Sequence, residues 1–287
     1  MSAPVELSPV HTAARESVAT RESDPTQAGA FANRATLIVR VSLSFLVLML
    51  GALVMLLVAV PTLFMARRLY AVVIGKWLGA SILRLWGVSY RVHGSGPPLK
   101  QQVVYISNHP STIDIFLLIA LGLPRTRFFL GGFLRKVLPI GIIGYLIRIF
   151  WTVPQEFSEK RRRIFQRADR ILRQTGDSVY LSPEGMRVTT GEIGHFNKGS
   201  FHLATSLGAP IVPVYMAIPA NTNPGRGYNA RPGTIDVWFL SPIETAHWKV
   251  EDVERNRDRV HDLYVRVHDA VRAGVAPTGV TIDTENQ

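Results

Sequence analysis

Residues 41–66 (VSLSFLVLMLGALVMLLVAVPTLFMA) carry not one charge. A helix needs about 20 apolar residues to cross ~30 Å of hydrocarbon, so this run is long enough to span a bilayer. Leu, Val, Phe and Met supply it, the side chains whose insertion is favourable. It starts too late and is too long for a cleaved signal peptide. The plain alternative is a buried helix of a soluble protein, and Pro61 leaves a third reading, a kinked or re-entrant segment. Arg34 and Arg40 precede the run, whereas Arg67, Arg68, Lys76 and Arg84 follow it. That excess places the rest of the chain on the cytoplasmic side. Residues 69–92 mix Val72, Val73, Trp77, Leu78, Leu83 and Trp86 with Lys76 and Arg84. They read as a helix lying among lipid headgroups, with the two tryptophans as interface anchors.

The chain has 287 residues, 47% of them apolar and 18% charged. A charged fraction below the usual ~25% fits a protein partly solvated by lipid. Without cysteine there is no disulfide, thiolate zinc site or acyl-cysteine intermediate. The net charge of +11 attracts phosphates, and the apolar content favours a membrane surface over nucleic acid. Four segments follow: a disordered polar tail over 1–33, a membrane-anchoring segment over 34–92, a domain over 93–273 opened by the breaker cluster HGSGPPLK, and a flexible tail over 274–287. Within the domain, strands are expected at 102–107, 127–130, 150–153, 178–181, 211–217 and 235–240. Helices are expected at 112–121, 159–174, 199–207 and 252–273, the second capped by Ser158 and stopped by Gly176. Such alternation defines an α/β domain.

The first of the expected strands runs into Asn108-His109-Pro110-Ser111-Thr112-Ile113-Asp114. Pro110 pushes His109 out of the α region, Ser111 is a natural N-cap, and Asp114 falls where a capping box has its acidic residue. In a continuous helix, residues five apart point about 140° from each other. With a break between them, His109 can fold back onto Asp114. A carboxylate on one imidazole nitrogen fixes the tautomer and leaves the other nitrogen as a base for a hydroxyl attacking an acyl carbonyl. The helix start supplies further N–H groups for negative charge. The bland reading has Asp114 merely capping its helix and His109 meeting a carbonyl. Spacing alone is cheap, since His247 and Asp252 repeat it without the strand, Asn and Pro.

A second strand ends in Ser182-Pro183-Glu184-Gly185-Met186-Arg187-Val188, a glycine turn bearing a carboxylate and a guanidinium suited to phosphate. Phe196-Asn197-Lys198-Gly199 and the apolar Ile211-Val212-Pro213-Val214 follow. In this order the blocks resemble the PlsC-type 1-acylglycerol-3-phosphate (lysophospholipid) acyltransferases, over roughly residues 95–245. The resemblance implies a mixed sheet flanked by helices behind an N-terminal membrane helix, and a role in phospholipid biosynthesis. It implies His109 as base oriented by Asp114, with Asn108, Glu184, Gly185, Arg187 and Lys198 holding substrate. It implies acyl-CoA or acyl carrier protein as donor, a lysolipid acceptor in the membrane, and no cofactor. The chain departs from the family at Ser182, Met186 and Val188. It also lacks the arginine that ends the family's second block, here 149–155. Arg135, Lys136, Arg148 and Lys198 are the cations available instead. A differently headed lysolipid, a glycolipid or an amino-lipid is therefore an alternative acceptor, and a lipid-binding protein that has lost catalysis is an alternative from another class.

The basic run Lys160-Arg161-Arg162-Arg163, continued by Arg167, Arg170 and Arg173, is either a solvated face or a contact for anionic lipid, an acidic carrier or CoA phosphates. His195 and His202 flank Lys198, but without H-x-x-x-H or H-E-x-x-H no metal is expected.

Overall fold

The computed structural model describes residues 25–96 and 101–277; the tail residues 1–24 and 278–287 lie outside it. The chain divides into a unit of residues 1–38, of which the start of α1 is described, and a unit of residues 39–287. In chain order the elements are α1 (Pro25–Ala59), α2 (Gly75–Leu85), β1 (Val88–Gly94), β2 (Val104–Ser107), α3 (Asp114–Ala120), β3 (Thr126–Gly131), α4 (Leu138–Leu146), β4 (Phe150–Thr152), α5 (Ser158–Thr175), β5 (Ser178–Leu181), α6 (Gly199–Leu207), β6 (Ile211–Ala217), β7 (Gly233–Phe239) and α7 (Val253–Arg272).

α1 holds the uncharged run as far as Ala59, with residues 60–66 including Pro61 beyond its end, and it begins inside the stretch expected as a tail; its portion Asn33–Ala59 is long and apolar enough to cross a membrane. Ala52, Met55 and Ala59, at helical spacing, are buried, whereas Leu46, Leu50, Leu53, Val54 and Leu57 are 46–65% exposed. Keeping those side chains in water forgoes about 25 cal/mol for each Å² that hydrocarbon would cover, so the outer face suits lipid. Glycines set the helix contacts. A Cβ on Gly51 would stand 2.7 Å from Leu78 on α2, and one on Gly79 only 2.6 Å from the Phe116 carbonyl oxygen on α3.

The segment expected as one interfacial helix over 69–92 is instead a π-helical turn (Leu69–Ile74), α2 and then β1. Gly87, with φ of +71°, ends the helical stretch. Beyond it Val-Ser-Tyr-Arg-Val-His alternates with period two, a strand pattern that places β1 in the sheet before the breaker cluster. Trp77 is 65% exposed as an anchor should be, but Trp86 is buried and donates its indole N–H to Ser44 Oγ at 2.9 Å.

The seven strands form one sheet in the order β1-β7-β6-β2-β5-β3-β4. β6, β2, β5, β3 and β4 are mutually parallel, β7 is antiparallel to β6, and β1 runs parallel to β7, which makes the mixed sheet. All six expected strands are present, and the four expected helices occur as α3, α5, α6 and α7. In α5, Ser158 is the first helical residue and makes no capping bond, while Gly176 closes the helix with φ of +61°. α5 packs Ala168 and Leu172 into the core, α6 packs Phe201 and Ala204, and α7 packs Val260 and Leu263. The Tyr264 hydroxyl of α7 accepts Val214 N–H at 3.1 Å and donates to the Ile106 carbonyl at 2.8 Å, fixing the end of β2 from which the site grows.

At the other end of the parallel strands, Asp177 Oδ2 takes Arg127 Nε at 2.8 Å and its Oδ1 takes Arg67 Nη2 at 2.7 Å. Burial works to raise this carboxyl, but the two guanidiniums outweigh it and hold it below the ordinary value. The resulting stabilisation is present above the unfolded carboxyl's pKa of about 4 and is lost as pH falls through the lower folded value. Asp177→Asn leaves Arg127 buried without a counter-charge, so unfolding at neutral pH should show a loss of about 3–5 kcal/mol. Wild-type stability in the variant would show that the pair contributes nothing.

Candidate active site

Open sheets of parallel strands bind ligands at the strands' carboxyl ends. Here that edge carries the ends of β2, β5 and β6. β2 leads into Asn108 and His109, and β5 into Ser182-Pro183-Glu184. Pro110 breaks the chain after His109, and α3 begins at Asp114. Across this break His109 Nδ1 meets Asp114 Oδ2 at 2.8 Å. The same oxygen accepts Ser111 N–H at 3.1 Å, the reach-back of a capping box. Ser111 Oγ, expected to cap, takes only Ile113 N–H at 3.4 Å.

The Asp114 side chain is fully buried and that of His109 is 30% exposed. Burial pushes the Asp114 carboxyl upward, and the bonds from His109 and Ser111 oppose the rise. Facing an ionised carboxylate, which can only accept, Nδ1 is the donor, and a neutral ring then presents Nε2 as its acceptor. The second His-x4-Asp has no such geometry: His247 is exposed and Asp252 pairs with Arg255 at 3.0 Å.

Glu184 is 4% exposed and does not face outward. Its Oε2 accepts His109 N–H at 2.6 Å and its Oε1 accepts Gly194 N–H at 2.8 Å. Burial raises this carboxyl, and the two N–H groups oppose the shift. Val188 N–H returns to the His109 carbonyl at 2.9 Å, so the glycine turn and the His109 loop are laced together. Asn108 is also committed to backbone: its amide donates to Met216 O at 3.0 Å and accepts Met216 N–H at 2.8 Å, joining β2 to β6. Both residues were expected on substrate; their side chains are bonded to the backbone around His109. Lys198, also expected on substrate, pairs with Glu254 on α7.

Gly185 has φ of +70°, and a Cβ there would stand 2.9 Å from both Asn197 Nδ2 and Gln155 Nε2. Gln155, the last residue of the arginine-less block, therefore meets the glycine turn. Arg187 Nη1 donates to Thr112 Oγ1 at 2.6 Å, and that hydroxyl donates to Gly225 O at 3.0 Å. The loop before β7 thereby joins the site, with Asn223 also donating to Pro110 O at 3.4 Å. Thr112, Asn223 and Gly225 were not singled out from sequence. The turn signal in Asn223-Pro224-Gly225 was visible, but not where the turn would land. Among the described residues no group of three or more His, Cys, Asp or Glu is placed to hold a metal.

An imidazole with a free nitrogen, oriented by a buried carboxylate at the edge of a sheet, is suited to activating a hydroxyl for acyl transfer. The acyltransferase family model matches residues 89–217, from β1 through β6, and takes in the His109–Asp114 pair, Glu184 and Arg187. A 1-acyl-sn-glycerol-3-phosphate acyltransferase of Limnanthes alba is 29% identical over 194 residues, 67% of this chain and 68% of that one. The human 1-acyl-sn-glycerol-3-phosphate acyltransferase beta is 29% identical over 197 residues, 64% and 66% of the two chains. The crystal structure of the 1-acyl-sn-glycerophosphate acyltransferase PlsC from Thermotoga maritima superposes with a TM-score of 0.62 at 21% identity, covering 83% of this chain and 98% of that one. Residues 89–217 thus match the acyltransferase family, an enzyme class, and the mixed, helix-flanked sheet is that of the PlsC fold.

Proposed function

We propose that this enzyme moves a fatty acyl group from a thioester, acyl-CoA or acyl carrier protein, to the free hydroxyl of a 1-acylglycerol-3-phosphate in the membrane. The observation that carries this reading is the 2.8 Å contact between His109 Nδ1 and buried Asp114. His109 Nε2 takes the hydroxyl proton as the oxygen attacks the thioester carbon. The C–S bond breaks as the tetrahedral centre collapses, and the imidazolium returns the proton to the thiolate. No acyl-enzyme forms. The acceptor's name comes from the relatives, and the guanidinium of Arg187 beside Thr112 supplies a partner for its phosphate. In this reading α1 crosses the bilayer, and the sheet and its site stand on the cytoplasmic side, supported by the basic residues that follow the apolar run.

Gln155 beside Gly185 favours a second acceptor class, because an amide matches a hydroxylated or zwitterionic headgroup better than a phosphate dianion. Purified membranes given labelled acyl-CoA and a panel of lysolipids separate the two. Labelled phosphatidate supports lysophosphatidate as acceptor. Label on another lysolipid alone moves the reading to Gln155, and label on none overturns it. Arg187→Gln should raise KM for lysophosphatidate about tenfold with kcat nearly unchanged, the mark of lost ground-state binding. An unmoved KM would remove Arg187 from the acceptor site.

A further inference from the structure

At the opposite edge of the sheet, where β3 and β5 begin, an open cleft of about 540 Å³ is lined by Arg67, Arg68, Arg125 and Arg148, by Leu63, Phe64 and Met65, and by Thr175 and Asp177. Four guanidiniums face one carboxylate, and that carboxylate is already bound by Arg67 and Arg127. Arg125 donates only to the Thr175 carbonyl, at 3.0 Å. Among the described residues Arg68 and Arg148 have no acidic partner. The backbone marks the same place. Among the described residues, the four non-glycine residues with positive φ are Leu63 (48°), Phe64 (62°), Arg125 (50°) and Arg148 (62°), and all four line this cleft. Side chains held in that region cost free energy and gather where a site requires them.

A second cleft of about 410 Å³ shares Arg68 and Arg125 and is otherwise walled by Leu69, Val72, Val73 and Pro124. The cationic pocket thus continues into an apolar groove. Beside it Leu63 and Met65 are 78% and 85% exposed, directly after the apolar helix. A molecule with an anionic head and an apolar body, delivered at the membrane, matches both parts. We propose that this cleft binds the headgroup phosphate of an anionic membrane phospholipid, at a site separate from that of acyl transfer and independent of the acceptor assigned above.

The test uses the full chain in an uncharged detergent, with lipid binding followed by native mass spectrometry. The probes are dioctanoyl phosphatidylglycerol, dioctanoyl phosphatidylcholine and inorganic phosphate. Phosphatidylglycerol should bind at least about tenfold tighter than phosphatidylcholine and should resist displacement by excess phosphate. Arg68→Gln with Arg148→Gln should weaken it by about tenfold or more. Arg148→Gly alone should weaken it too, and because glycine suits φ of +62° that loss cannot be laid to misfolding. His109→Ala and Arg187→Gln should bind it as the wild type does. Equal binding of the two lipids, displacement by phosphate, or loss in Arg187→Gln with retention in Arg68→Gln/Arg148→Gln would each overturn the proposal.

Discussion

His109→Ala is expected to lower kcat for acyl transfer by about 10²–10⁴-fold, the usual contribution of a positioned general base. The size follows from the chemistry. An alcohol at neutral pH is a poor nucleophile, and the His109 imidazole stands at this edge bonded to a fully buried carboxylate. The ring is partly exposed and its recorded side-chain partner is Asp114, so its removal opens no core cavity. The cost in folding is one bond to a buried carboxyl, about 1–3 kcal/mol. Kinetics in membranes, with a thermal unfolding curve beside them, check both halves. A variant within a few-fold of wild-type kcat would remove the imidazole from the reaction.

Asp114→Asn should cost about 10²–10⁴-fold in kcat while KM for both substrates stays near wild type. The amide keeps the carboxylate's shape but not its charge. The oxygen that meets His109 Nδ1 also accepts Ser111 N–H, so the amide keeps its oxygen there and loses instead the negative charge that stabilises the imidazolium formed in the reaction. Acid does the same to the wild type. Because complete burial raises the Asp114 carboxyl, activity should fall on acidification at a higher pH than an ordinary carboxylate would give. In the asparagine variant this component of the pH profile should vanish.

Much of this was legible from residues alone. The six expected strands read clearly because their β-branched and aromatic runs are bounded by turns. The His109–Asp114 pair was visible because Pro110 breaks the helical spacing that would have separated them. β1 was hidden because its alternating Val88–His93 follows directly on an amphipathic helix and was absorbed into it. α4 was missed because LPIGIIGYL has no polar face, and periodicity needs contrast. The resemblance put Glu184 and Asn108 on substrate, and sequence alone does not say whether a polar side chain in a turn also bonds the backbone. Only the folded loops show both turned to N–H and C=O groups. The arginine cleft had no linear signature at all, since residues 63–68, 125, 148 and 177 meet only once α1, β3, α4 and β5 are placed.

The central claim is that His109 and Asp114 act as one unit on the acceptor's proton. A double-mutant cycle tests it most directly: kcat for wild type, His109→Ala, Asp114→Asn and the double variant, with one donor and one lysolipid in the same membranes. Once the imidazole is gone its orienting carboxylate has nothing to orient, so the double variant should be no slower than His109→Ala alone. If the two losses multiply instead, the residues act independently and the account is wrong.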